Sequence, residues 1–122
     1  MEDIKVGEKI RCNDGLIGEL IRIERDDIDT SLKWYVFDDG KNERYVNKPY
    51  ITKHSFNLTD LIEIGDILEV YFPIKKINRK IFVDEYFKDS MILNGLISEN
   101  IIMKSILTHE QFEANCYKVT IK

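Results

Sequence analysis

Apolar and polar residues alternate with period two along most of this chain, the signature of short strands with one buried face. Lys9-Ile10-Arg11-Cys12 runs into Asn13-Asp14-Gly15, a hairpin-type turn in which glycine takes positive φ. Leu16 to Glu24 resumes the alternation, interrupted at Ile17 and Gly18, and the glycine predicts a bulge or bend there. Leu32–Phe37 and Glu43–Val46 flank Asp38-Asp39-Gly40-Lys41-Asn42 and predict a second hairpin, closed at Pro49, which has no amide to give to a ladder.

The segment 51–61 is less regular, with one helical turn predicted over Asn57–Ile62 and Asn57 as its cap. Ile67–Phe72 reads as a strand ended by Pro73, and 74–77 with 79–83 as a hairpin around Asn78. Residues 84–89 fit a short helix or a loop, and Asn94-Gly95 signals a turn. Ile101–Leu107 is a strand, Thr108-His109-Glu110-Gln111 has the form of a capping box, and Cys116–Ile121 is a last alternating strand.

Two stretches echo each other. Ile4-Lys5-Val6-Gly7-Glu8-Lys9-Ile10 recurs as Ile62-Glu63-Ile64-Gly65-Asp66-Ile67-Leu68, 58 residues on. Ile51-Thr52 followed by Phe56 is echoed more weakly by Leu107-Thr108 followed by Phe112, at an offset of 56. The repeat predicts two copies of one β-rich unit, residues 1–61 and 62–122. Short strands, tight glycine turns and a helical turn before the final strand predict a mainly β fold: two tandem small SH3-like β-barrels. A unit of this size buries too little surface to be robust alone, so the two are expected to pack as one compact body. A single mixed sandwich is the alternative.

Charge and cysteine usage narrow the class of function. Net charge is −4 over 122 residues, −3 in the first half and −1 in the second, with no basic tail or stripe. That balance argues against direct binding to a nucleic-acid backbone. Gly7, Gly15 and Gly18 loosely resemble the glycine motif of KOW-type barrels that bind RNA or RNA polymerase, but glycines serving turns and a bulge explain them better, and the acidic balance argues against RNA. No apolar run reaches the ~20 residues needed to span a bilayer, and Met1–Lys5 lacks a secretory leader pattern. Cys12 and Cys116, without a CxxC spacing, read as reduced thiols of a cytoplasmic protein.

Candidate binding residues fall in two groups. Asp26, Asp27, Asp29, Asp38 and Asp39 form acidic clusters in two loops, suited to a basic partner. Trp34, Tyr35, Arg44 and Tyr45 lie on one presumed sheet, and those not buried between units would offer an aromatic pocket for a nucleotide ring. His54 and His109 sit near matching ends of the units, but Lys53, not His54, aligns with His109, and only scattered acids surround them. They read as hydrogen-bonding histidines, with no metal and no cofactor expected. No nucleophile–base–orienter set stands out, and the expectation is a protein that is not an enzyme.

Ile51-Thr52-Lys53-His54-Ser55-Phe56-Asn57, Asp60–Asp66, Ser105–Glu113 and Tyr117-Lys118-Val119 are together similar to a group of small proteins encoded in phages and prophages of Firmicutes, especially clostridia. The match is looser at Val6-Gly7-Glu8 and departs at Ile67–Val70, where the group tends to have a Tyr/Asn/Gly-containing turn. The resemblance transfers no site residues. It implies a phage protein in the host cytoplasm that binds and blocks a host protein or ribonucleoprotein complex, as anti-CRISPR proteins do to CRISPR effectors. The competing expectations are a sequestering protein for a nucleotide second messenger, completed in a homo-oligomer, and a structural or nucleic-acid-binding phage module.

Overall fold

The computed structural model describes residues 3–115 and divides the chain into two units, Met1–Leu61 and Ile62–Lys122. The fold is mainly β. Among the described residues the strands form two sheets, neither closed into a barrel. The final strand expected over Cys116–Ile121, and Cys116 itself, lie outside the described residues.

The first unit contains β1 (Lys9–Cys12), β2 (Ile17–Arg25), β3 (Lys33–Asp38), β4 (Glu43–Val46) and β5 (Ile51–Ser55), all antiparallel in the order β4-β3-β2-β1-β5. A 3-10 turn at Lys48–Tyr50, opened by Pro49, precedes β5, and a second at Leu58–Leu61 follows it. Ile4, Ile10, Cys12, Leu20, Tyr35, Phe37 and Ile51 form the core. Residues 51–55 are therefore a strand, which their mixed polarity conceals: among the described residues β5 pairs with β1 alone, and only Ile51 of the strand is buried.

Gly18 is not the bulge. The register between β2 and β3 slips between Leu20 and Arg22, so Ile21 is the extra residue. Gly18 instead lies where a Cβ would stand 2.3 Å from the Asp38 carbonyl oxygen, and no side chain fits that approach.

The second unit contains β6 (Ile67–Phe72), β7 (Ile77–Phe82) and β8 (Ile102–Leu107), ordered β7-β6-β8, with α1 (Met91–Ile97) before β8 and α2 (His109–Asn115) after it. Leu68, Val70, Val83, Phe87 and Leu96 are its buried centre. The hairpin lies between β6 and β7, turning at 73–76 with Lys76 at φ +56°, while Asn78 sits inside β7 opposite Tyr71. Asn94-Gly95 belongs to α1, not to a turn. Ser90 Oγ caps that helix by accepting the Leu93 amide at 3.1 Å, and Gly95 leaves room for Ile101, whose Cδ1 would stand 2.3 Å from an added Cβ.

The echo seen in the sequence is a repeated backbone frame. Gly7 and Gly65 both take φ +96°. Gly7 N–H donates to Leu20 O and Leu20 N–H to Glu8 O; Gly65 N–H donates to Val83 O and Val83 N–H to Asp66 O. Strand β1 pairs Lys9 with Ser55 and slips register between Arg11 and Cys12; β6 pairs Ile67 with Leu107 and slips between Glu69 and Val70. The strands β6, β7 and β8 thus stand for β1, β2 and β5, with α1 in the interval that β3 and β4 occupy in the first unit. Ser55 and Leu107 are 52 residues apart, so the weaker echo at an offset of 56 is not a structural equivalence.

Candidate functional site

The acidic loops are built by their own aspartates. Asp26 Oδ1 accepts the amides of Ile28 at 2.8 Å and Asp29 at 2.9 Å, and Oδ2 accepts the Trp34 indole N–H at 3.1 Å. The Asp29 amide, then Trp34 and Ile28, hold the Asp26 carboxyl below its ordinary range. Asp29 Oδ1 accepts from the Ser31 amide and hydroxyl. Asp38 accepts the Gly40 amide, and Asp39 accepts the amides of Lys41 and Asn42 and the Arg44 guanidinium at 2.9 Å.

These are turn-forming bonds of the kind Asp provides where the backbone reverses. The two clusters also flank opposite ends of β3, a six-residue strand, and are therefore roughly 20 Å apart. They do not merge into one acidic surface. Asp27 is the member whose carboxylate is not engaged in such a turn.

The four aromatic-pocket residues separate in a similar way. Tyr35 is buried in the core, on the face of β3 that also holds Phe37. Arg44 lies opposite Phe37 and pairs with Asp39. Trp34 and Tyr45 occupy the other face, their rings edge-to-face with centroids 6.4 Å apart. Tyr35 does line a shallow open depression of about 270 Å³ with Lys33, Asn47, Lys48 and Pro49, but Trp34, Arg44 and Tyr45 take no part in it. Small-molecule pockets are typically about 300–1,000 Å³ and enclose most of their ligand. The depression does not make the nucleotide pocket expected from the sequence.

The Trp34–Tyr45 face has its own order, which the strand register explains. Arg22 pairs with Val36, Glu24 with Trp34, and Val36 with Tyr45, so alternation brings Arg22, Glu24, Trp34 and Tyr45 to one side. Arg22 Nε donates to Glu24 at 2.6 Å, while Nη2 donates to Glu43 at 2.8 Å and to the Tyr45 hydroxyl at 3.1 Å. The bond to Glu43, then those to Glu24 and Tyr45, push the guanidinium further up and keep it charged. Asp26 holds the other end of the aromatic pair through the Trp34 indole. Tyr45 is 53% exposed. Sequence reading missed Arg22 and Glu43 because only the slipped register at Ile21 brings Arg22 to this face.

A second constellation lies in the second unit. His109 Nε2 is 2.9 Å from Glu63 Oε1 and 2.9 Å from Glu110 Oε1. All three side chains are part-buried. Beneath them Asp66 is fully buried, with Oδ2 accepting the Glu63 amide at 2.8 Å and Oδ1 the His109 amide at 3.0 Å. The Thr108-to-Gln111 pattern does open α2: Thr108 Oγ1 accepts the Gln111 amide at 3.4 Å. His54 meets a different partner, its Nδ1 3.0 Å from Glu8 Oε1. Both histidines are thus hydrogen-bonding, and spacing alone does not reveal the partner of His109, because Glu63 lies 46 residues away in the chain.

No protein-family model, curated protein or solved structure matches the chain. No helix among the described residues is long and apolar enough to cross a membrane.

Proposed function

We propose that this protein acts by binding another macromolecule, and that the Trp34–Tyr45–Arg22 face of the first unit is its contact surface. One observation carries the reading: a Trp–Tyr pair held at both ends, by Asp26 on the indole and by Arg22 on the phenol, with Tyr45 open to solvent. Trp, Tyr and Arg dominate the energetically decisive residues of protein interfaces. Side chains already fixed in place lose little entropy on docking.

The five-strand order β4-β3-β2-β1-β5, with a 3-10 turn before the last strand, supports an SH3-like reading of this unit. The second unit is then a version in which α1 replaces two strands. The resemblance of residues 51–66 and 105–119 to phage and prophage proteins supplies the setting, an inhibitor of a host protein or ribonucleoprotein complex such as a CRISPR effector. The net charge of −4 favours approach to a basic partner, with Asp27 as the acidic loop residue best placed to contribute.

The test compares tagged wild-type, Tyr45→Ala and Asp27→Asn chains as baits in lysate of a clostridial host. A partner held by wild type should be lost with Tyr45→Ala, since a central aromatic contributes about 2 kcal/mol or more, some thirtyfold in affinity. Asp27→Asn should slow its capture only at low salt. Equal capture by wild type and Tyr45→Ala would reject this face as the interface.

A further inference from the structure

We propose that Glu63, His109 and Glu110 form a binding site for one divalent transition-metal ion, of the class from Mn²⁺ to Zn²⁺, completed by water. This proposal does not depend on the Trp34–Tyr45 interface. Its first support is the convergence itself. Two carboxylate oxygens from different elements stand at the same 2.9 Å from a single imidazole nitrogen, and one N–H cannot point along both directions. A cation can satisfy all three atoms at once. Imidazole and carboxylate ligands sit about 2.1 Å from such ions, and two ligands at right angles are then about 3.0 Å apart. The two separations from the imidazole nitrogen fit ligands at right angles on such an ion, and all three ligand atoms lie within 4.8 Å of one another, with the remaining positions open to water or to an anionic group of a partner.

The second support is how the ligands are held. Asp66, buried beneath them, fixes the backbone of both Glu63 and His109, and the Gly65 backbone packs against the His109 side chain, where an added Cβ would come within 3.2 Å. Outer groups that orient the ligands are a regular part of metal sites. One imidazole nitrogen with carboxylate oxygens suits borderline first-row ions better than Mg²⁺ or Ca²⁺, which favour all-oxygen sets.

The duplicated frame contains its own control. Glu8 accepts the Lys5 amide at 2.6 Å as Asp66 accepts that of Glu63. In the first unit, however, the place of Glu63 is taken by Lys5, whose charge repels a cation. Continuing the register of β5 and β8 puts Asn57 and Leu58 where the second unit has His109 and Glu110. The frame is shared, and the ligand set belongs to the second unit alone.

The experiment titrates the metal-free full chain with Zn²⁺ and, separately, Mn²⁺, with Mg²⁺ as the comparison, by calorimetry and by ¹H–¹⁵N spectra of the imidazole nitrogens. One ion per chain is expected, with the His109 Nε2 resonance shifting and both His54 nitrogens still. Glu63→Gln and Glu110→Gln, close in shape to wild type, should each weaken binding at least tenfold. Asp66→Asn should weaken it by about 10–100-fold, as loss of an orienting group does. The proposal is overturned if neither Zn²⁺ nor Mn²⁺ binds, if His54 responds instead, or if both Gln variants bind as wild type does.

Discussion

Asp66 and Glu8 hold equivalent places in the two units, and each turns a carboxylate oxygen back onto the amide three residues before it. Each also follows a glycine at φ +96°. The second oxygen distinguishes them. The shorter Asp66 reaches the His109 amide, whereas the longer Glu8 reaches the His54 ring. The carboxylate thus fastens a helix start in the second unit and a strand side chain in the first.

Removing the Asp66 carboxylate should destabilise the second unit strongly. Asp66→Ala leaves the part-buried amides of Glu63 and His109 without this acceptor, a loss of about 2–4 kcal/mol at the usual value for charge-assisted bonds. Urea denaturation gives the total, and hydrogen exchange locates it: the His109 amide should lose protection while that of Leu20 keeps it. Unchanged exchange at His109 would show the clamp to be dispensable.

Gly7→Ala and Gly65→Ala should each lower stability by about 1–2 kcal/mol, because φ +96° is a backbone state that a Cβ disfavours. The Gly65 change should be the worse of the two. Its Cβ meets His109 Cβ at 3.2 Å, whereas at Gly7 the nearest atom is Phe56 Cε1 at 3.5 Å. Thermal melts of the two variants side by side would settle the order, and equal or reversed losses would refute it.

Much of this frame was legible in the sequence. The Gly7/Gly65 echo marks the repeated turn, and alternation places β1, β2, β3, β4, β6 and β8 within a residue or so, most clearly in β1, β2 and β6, which carry buried residues on one face. What was hidden depended on neighbours far along the chain. Asn78 signals a turn within 74–83 because Asn favours chain reversals, yet the reversal uses Lys76. Gly95 looked like a turn residue until the approach of Ile101 explained it. The Glu63–His109–Glu110 cluster had no signal in spacing, since a strand pairing creates it. The aspartates were conspicuous as charge, while their work is to hold turn amides.

Arg11 is another residue that alternation misplaces. Between the core residues Ile10 and Cys12 it should face water, but it is fully buried and its Nη1 donates to Leu61 O at 2.8 Å. Arg11→Ala should therefore destabilise the first unit by about 2–4 kcal/mol, through lost packing and an orphaned carbonyl. Arg11→Met restores the bulk and should recover part of that loss. Chemical denaturation that ranks Met no better than Ala would assign the effect to the polar contacts of the guanidinium rather than to its bulk.

Cys12 should be chemically silent in the native protein. Burial, then the charge of Asp14, pushes its thiol up to about 12, so at pH 8 almost no thiolate is present to attack. Iodoacetamide followed by peptide mass mapping should find Cys12 unmodified without denaturant and fully labelled in 6 M guanidinium. Rapid native labelling at this position would mean that β1 opens readily.

Acid should weaken the first unit in a defined window. The amide of Asn42, then Arg44 and the amide of Lys41, hold the Asp39 carboxyl at about 2 against an ordinary 3.8. Asp26 is lowered in the same direction by its turn amides and the Trp34 indole. At Glu8 burial pushes the carboxyl up, but the Lys5 amide and His54 outweigh it and leave a net lowering. A carboxylate whose folded value lies below its unfolded value stabilises the fold fully above the unfolded value and loses that contribution as pH falls through the folded one. The loss should thus begin near pH 4 and continue towards pH 2, with no change from these groups between pH 6 and 8. Asp39→Asn removes one titrating group, so its urea midpoint should fall less steeply than that of wild type across pH 4 to 2. Parallel curves for the two proteins would show that the β3–β4 turn does not draw on the Asp39 charge.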